Sequence, residues 1–411
     1  GDISAWDTSN VTDISSMFAY TSDFNQDIND WDLSSVTGME AVFRNTTSFN
    51  QPLNDWDVSN VTNMSSMFEE ATSFNQNISN WCVTNIVSEP LDFSTDSPLS
   101  DSNKPVWGTC LITDANFQTS INTCLSTNPE DGLCSDSEYG AMPDWDVSKV
   151  TDMDRAFDGR DVFNVDISNW DVSNVTNMSS MFINATSFNQ PLNNWNVSNV
   201  TNMFQMFTAA SVFNQDLNSW DVSSVTNMSS MFFFATSFNQ PLNNWDISSV
   251  TDMQVMFGSA TSFNQPLNKW NVSNVTNMFQ MFTIASVFNQ DLNSWDVSSV
   301  TNMSSMFFYA TSFNQSLNNW DISSVINMQE MFSYSSLSTD NYDGVLNSWS
   351  QQDVISGVIL RAIGVNYCNG EDARQNLIDT YGWIITDDGL DCATAGVDDQ
   401  NQLDISIYPN P

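Results

Sequence analysis

Phe188-Asn-Gln-Pro-Leu-Asn-Asn-Trp-Asn-Val-Ser-Asn-Val-Thr-Asn-Met203 decides the fold, because its pattern returns every 25 residues along most of the chain. Trp6, Trp31, Trp56 and Trp81 mark four copies, and Trp145, Trp170, Trp195, Trp220, Trp245, Trp270, Trp295 and Trp320 mark eight more after an interruption. A period of this length signals a solenoid, since one unit can bury its apolar face only against its neighbours. Within the unit Leu-x-x-Trp-x-Val-Ser-x-Val-Thr-x-Met-x-x-Met-Phe, the Trp-x-Val alternation has the two-residue period of a short strand with one buried face. The apolar spacing then widens to threes and fours through Met-x-x-Met-Phe, the period of a helical or 3₁₀ turn. Each coil is therefore expected to hold a short strand, a tight corner, a turn of irregular helix and a return. Stacked coils would place the strands in a parallel sheet along one face.

The pattern resembles the BspA-like leucine-rich-repeat surface proteins, in particular the branch whose repeats run as Trp220 to Phe232 do here, Trp-Asp-Val-Ser-Ser-Val-Thr-Asn-Met-Ser-Ser-Met-Phe. The resemblance implies leucine-rich-repeat-like coils with short parallel strands (Leu-x-x-Trp-x-Val) on the concave face and irregular or 3₁₀ turns (Met-Phe) on the convex face. It also implies an extracellular adhesive or binding protein, without carrying over any ligand.

Composition narrows the function. The chain has 49 acidic against 8 basic residues and a formal charge of -41, which repels phosphate backbones and anionic membranes and excludes nucleic acid as a partner. No stretch is long and apolar enough to span a membrane, so no membrane insertion is expected. There is no histidine, which removes Ser-His-Asp and Cys-His nucleophile systems and the common His-containing zinc sites. Carboxylate pairs remain for glycosidase chemistry, but these acids recur once per coil, whereas an active site needs one singular constellation. The chain is expected not to be an enzyme. Cys82, Cys110, Cys124, Cys134, Cys368 and Cys392 all lie at the ends of arrays. Their even number and position suggest the pairs 82–110, 124–134 and 368–392, with other pairings or buried free thiols as alternatives.

In chain order, residues 1–111 form a first array with an end cap, and 112–144 form a helical N-terminal cap for the second. The first array begins inside a coil, as expected of a piece of a longer protein, and loses register from Ser88. In the cap, Phe117, Ile121, Cys124 and Leu125 have helical spacing, with Asp114 as the candidate N-cap. Residues 145–340 form the second array, in which 195–253 and 270–328 are nearly identical, a tandem duplication of three coils. Residues 341–395 are a C-terminal cap with an expected strand from Val354 and a helix from Gly370, and 396–411 form a linker and a closing segment. That segment, Ile405-Ser-Ile-Tyr-Pro-Asn-Pro411, resembles the start of a type IX secretion sorting domain. The resemblance implies engagement of the secretion machinery and a secreted, outer-membrane-associated location.

Three sets of residues are functional candidates. The acid after each Trp (Asp7, Asp32, Asp57 and Asp146, then Asp171, Asp221, Asp246, Asp296 and Asp321) is expected to point outward from the concave sheet as a carboxylate column. It either binds Ca²⁺ or sugar hydroxyls, or accepts local hydrogen bonds as Asx turns do. Asn196 and Asn271 keep the acceptor without the charge, which favours local bonding. The pairs after Met-Phe vary while the frame holds, which implies exposure of at least one member. Phe233, Phe234, Phe308 and Tyr309 would then form an aromatic patch for partner contact. Acidic turns outside the regular frame (Asp152, Asp154, Asp158 and Asp161; Asp387, Asp388 and Asp391) are candidate Ca²⁺ ligands or solvated turns, and neither set has EF-hand spacing. The Asn after each coil's second Phe, such as Asn189 and Asn214, is expected to form a structural ladder. The function these features favour is a secreted adhesin or ligand-binding module for a protein or glycan on a host, a neighbouring cell or a surface. The alternative is a spacer or stalk, stiffened by calcium.

Overall fold

The computed structural model describes residues 1–134 and 139–393. The linker and sorting segment expected over 396–411 therefore lie outside the described residues. The chain divides into two compact units, one of residues 1–151 with 169–174 and one of 152–168 with 175 onward.

Both units are built from stacked coils, and their backbone bonding departs from the expected strand. Trp-x-Val is not a strand. Trp195 N donates to Leu192 O and Val200 N to Val197 O, so the segment is a corner between two turns and is too short to pair with a neighbour. The inter-coil ladder instead runs through the Asn-Met-x-x-Met-Phe segment. There every second N–H reaches the next coil, as when Met203, Gln205, Phe207 and Ala209 donate to Asn227, Ser229, Met231 and Phe233. The N–H groups between them, those of Met206, Thr208 and Ala210, close turns onto carbonyls three residues back. A helical spacing of apolar residues is thus produced by a string of β-turns, with single parallel bridges joining Asn177, Asn202, Asn227, Asp252, Asn277, Asn302 and Asn327 in succession.

This geometry requires two residues per coil in the left-handed region. In the coil from Trp195 these are Gln205 at φ 55° and Ala209 at 57°; further on, Val255 stands at 58° and Ile284 at 57°. Left-handed backbone costs about 1–2 kcal/mol per non-glycine residue, and β-branched residues rarely adopt it. The burial that offsets this strain is large. In the coil from Trp220, the side chains of Trp220, Val222, Val225, Met228, Met231, Phe232, Ala235, Phe238 and Leu242 are all buried, and the larger ones contribute about 1.5–3 kcal/mol each. Phe232 stacks on Phe238 at 4.0 Å within the coil and on Phe257 of the next at 5.7 Å. The Trp column is parallel, with Trp270 on Trp295 at 6.5 Å. From Trp170 to Trp320 each coil's indole N–H is satisfied by a carbonyl 28 residues back, as Trp245 Nε1 is by Leu217 O at 2.9 Å. The ring is therefore core and cross-link together.

The ends keep this bonding after the sequence pattern is lost. In the first unit the ladder continues past Ser88, since Ser66, Phe68 and Glu70 donate to Leu91, Phe93 and Thr95. Trp107 closes the end edge-on to the buried Phe93 at 4.9 Å. Helix α1 (Phe117–Thr127) buries Phe117, Ile121, Cys124 and Leu125 as expected. Asp114 does not cap it, because its carboxylate instead accepts from Thr151 N at 2.7 Å and Thr151 Oγ1 at 2.6 Å. In the second unit the C-terminal segment consists of α2 (Thr339–Trp349), β1 (Ile359–Ala362), α3 (Glu371–Tyr381) and β2 (Ile384–Asp387). The strand expected from Val354 starts at Ile359, beyond the turn at Gly357 (φ 75°). Strands β1 and β2 pair in parallel with Ile359 opposite Ile384, the 25-residue register again, and Trp383 Nε1 donates to Ile355 O across the same 28-residue separation as the coil tryptophans. The buried Asp343 accepts from the N–H groups of Cys368, Asn369 and Gly370 at 2.7–2.9 Å. The cysteines pair as 82–110, 124–134 and 368–392, with none left free. Among the described residues, no helix is long and apolar enough to cross a membrane.

Asp343→Ala removes the acceptor for three amides and is expected to lower stability by about 3 kcal/mol or more in urea unfolding. Val255→Asn, which replaces a β-branched residue with one that tolerates left-handed backbone, is expected to raise it by about 0.5–1 kcal/mol. An unchanged midpoint for Asp343→Ala, or a loss of stability for Val255→Asn, would contradict this account of what the fold depends on.

Candidate functional site

The acid after each Trp is exposed, and one of its oxygens is held by its own corner. Oδ1 of Asp171, Asp221, Asp246, Asp296 and Asp321 accepts from the N–H of the serine two residues on, at 2.9–3.1 Å. The serine hydroxyl joins at Asp221 (2.6 Å) and Asp296 (2.7 Å). Asn196 and Asn271 make the same two bonds, with N–H distances of 3.2 Å and hydroxyl distances of 2.8 Å. Each corner is an Asx turn. Donation by the serine hydroxyl, then by its N–H, holds the carboxyls of Asp171, Asp246 and Asp296 below the ordinary value of 3.8.

The acidic turns do not gather. Among the described residues, no three acidic, cysteine or histidine side chains lie together as a metal ion would need. Asp152 accepts from Asp154 N and Asn177 Nδ2, and Asp154 and Asp158 flank Arg155 at 3.8 and 2.9 Å. Asp161 lends its carbonyl to Thr186 Oγ1 at 3.1 Å. Asp387 is engaged by Arg374 at 2.8 Å and by the buried Tyr342 hydroxyl at 3.1 Å. Burial, followed by the nearby Asp387 charge, pushes the Tyr342 hydroxyl well above the usual tyrosine range. Asp388 and Asp391 each accept a single backbone N–H, from Gly364 and Ala393.

The variable pairs divide by backbone conformation. The second member of each pair is the left-handed residue, and its side chain is exposed at four positions, while Ser259 stays buried. Phe234 is 47% exposed, Ile284 44%, Tyr309 43% and Tyr334 44%. The four named aromatics fall into two ring pairs, three coils apart in the sequence. Phe233 and Phe234 pair with each other at 4.4 Å, and a side chain at Gly258 would meet Phe233 at 3.1 Å and Val255 at 2.8 Å. Three coils on, Phe308 meets Tyr309 edge-on at 4.7 Å, and Tyr309 stacks on Tyr334 at 4.5 Å. Tyr334 escaped sequence reasoning because it lies where the repeat loses register; its backbone hydrogen bond to Ile363 O and its stack on Tyr309 keep it in the column.

The remaining polar columns bond from coil to coil. Asn214 N donates to Asn189 Oδ1, Asn239 N to Asn214 Oδ1 and Asn264 N to Asn239 Oδ1, at 2.9–3.0 Å. The following glutamine braces the same oxygen, as Gln240 Nε2 does at Asn214. Thr226 and Thr251 donate both N–H and hydroxyl to the threonine carbonyl of the preceding coil.

In comparisons with known proteins, the family model described as "Mycoplasma protein of unknown function, DUF285" matches residues 1–102, 133–245 and 233–349. No curated protein and no solved structure matches.

The serine bonds have a pH signature. Because the folded-state value of Asp246 lies below 3.8, the stabilisation is fully present above 3.8 and is lost as pH falls through the folded value. Asp246→Asn keeps the acceptor and cannot be protonated in this range, so it is expected to lose less stability than the parent between about pH 5 and pH 2. Parallel melting curves for the two proteins over that range would remove these bonds from the account.

Proposed function

The chain belongs to the family described as Mycoplasma protein of unknown function, DUF285, and from that premise we propose that it is a non-catalytic cell-surface binding module of adhesin type. One observation carries this reading. Each coil devotes its apolar side chains to the core and its Asn, Thr and Trp columns to coil-to-coil bonds, leaving one column of outward side chains free to change identity. Ala209, Phe234, Ile284, Tyr309 and Tyr334 occupy that column at a constant backbone geometry, and the buried Ser259 interrupts it. A frame of this kind holds apolar anchors in place before a partner arrives, which reduces the ordering that binding requires. Ile284, Phe308, Tyr309 and Tyr334 make up the recognition surface, and exposed aromatics of this kind typically dominate contact energy. The partner is a protein or glycan presented on a cell or surface.

Secretion is part of the same reading. The three disulfides suit an oxidising compartment, and the resemblance of the final residues to a type IX sorting domain supplies the route. The carboxylate column contributes repulsion from anionic surfaces and solubility rather than a metal site, so melting in EDTA and in millimolar Ca²⁺ is expected to coincide.

The test is adhesion of the purified chain to a panel of immobilised glycans and cell-surface proteins. Tyr309→Ser combined with Tyr334→Ser is expected to lower retention by tenfold or more, on the order of two anchor residues, with melting unchanged. Asp221→Asn with Asp246→Asn is expected to leave retention intact. A pure spacer, which the coil-to-coil ladders would equally serve, would be indifferent to both pairs, and that result would replace the adhesin reading.

A further inference from the structure

Within the first unit, a cleft of about 310 Å³ opens between the corners at Asn54–Val58 and Asn80–Cys82 on one side and helix α1 with Tyr139 on the other. We propose that this cleft is a binding site for an uncharged oligosaccharide, separate from the aromatic column and independent of it.

Its walls are held in place before any ligand arrives. Trp56, on the array side, donates its indole N–H to Ile28 O at 2.9 Å, and Asn80 Nδ2 donates to Asn54 O at 2.8 Å. On the helix side, Asn116 accepts from Thr113 N at 2.8 Å and donates to Leu111 O and to the Tyr139 hydroxyl at 3.1 Å, which fixes the tyrosine ring as a wall. The cleft is large enough for a small ligand.

The groups left over select its chemistry. Asp57 Oδ1 accepts from Ser59 N at 3.0 Å and Ser59 Oγ at 2.6 Å, and among the described residues nothing engages its Oδ2. Asn80 Oδ1 adds a second acceptor and the exposed Thr119 hydroxyl adds a donor. Two carboxylates line the cleft with no basic residue, which disfavours anions. A metal ion is also poorly served, because among the described residues no three acidic side chains gather as a ligand set, and each Asp55 oxygen already accepts one amide, from Asn54 Nδ2 and Asn29 Nδ2. Mixed acceptors and donors beside the half-buried Tyr139 ring suit a pyranose, whose hydroxyls pair in both senses while its C–H face lies on the ring; Trp56 and Val58 form the buried floor beneath. A neighbouring depression of about 340 Å³ shares Asp55 and Asp57 and continues the cleft past Trp31 and Asp32. That continuation makes room for a second sugar unit.

The test is saturation-transfer NMR on the intact chain with lactose, maltose, cellobiose and N,N′-diacetylchitobiose, and with methylguanidinium as a cation probe. At least one disaccharide is expected to receive saturation. Asp57→Asn keeps the corner, as Asn196 and Asn271 do natively, and is expected to weaken that disaccharide about tenfold, in keeping with loss of a charge-assisted hydrogen bond. Ala115→Trp, at an exposed position in the turn before α1, is expected to fill the cleft and abolish transfer, while Asp221→Asn and Tyr309→Ser change nothing. The proposal is overturned if methylguanidinium binds and no disaccharide does, or if no probe binds. It is equally overturned if a disaccharide binds Ala115→Trp as well as it binds the parent while that variant melts with the parent.

Discussion

The constraint on which this structure depends is the alternation of backbone N–H groups between two duties. Along Asn-Met-x-x-Met-Phe, one N–H closes a turn within its coil and the next crosses to the coil beyond. Buried amides must find partners, and this division satisfies them in a segment that is neither helix nor strand. It also dictates the two left-handed residues per coil, and with them the direction in which the variable side chains point. Packing of the Met, Phe and Trp columns supplies the free energy that holds such a backbone, since each turn alone would be strained and solvated.

Much of the architecture was legible in the sequence. The period, the core positions, the two interruptions and the helices near Phe117 and Gly370 follow from apolar spacing, and cysteine placement suggested the disulfide pairs while leaving other pairings open. The backbone conformation was not. Trp-x-Val alternates in burial as a strand does, but alternation reports which side chains are inside and says nothing about which N–H groups pair. Likewise the spacing of Met203, Met206 and Phe207 is compatible with a helical turn and with linked β-turns. Ordinarily glycine marks left-handed positions, and here Gln205, Val255 and Ile284 occupy them, so the customary signal was missing.

The candidate sites were legible in the same partial way. That one member of each variable pair is exposed follows from its freedom to vary, but which member depends on the sign of φ. The Asp corners were recognisable as Asx turns from the Asn substitutions in two coils. The cleft beside Tyr139 was invisible to sequence, because it joins residues of a regular coil to a helix some sixty positions away that breaks the repeat.

Because every junction within the regular stack uses the same bonds at the same offset, the stack has no preferred length. The near-identity of 195–253 and 270–328 is the mark of a past duplication of three coils, and the coding stretches for them would be able to misalign wherever their codons match. An exchange between them would delete or add 75 residues, a whole number of coils, and would leave both new neighbours bonded as the old ones were. Coil number is therefore a trait that can change in a single genetic event without an intermediate that fails to fold, and with each event the spacing between the aromatic pairs changes too.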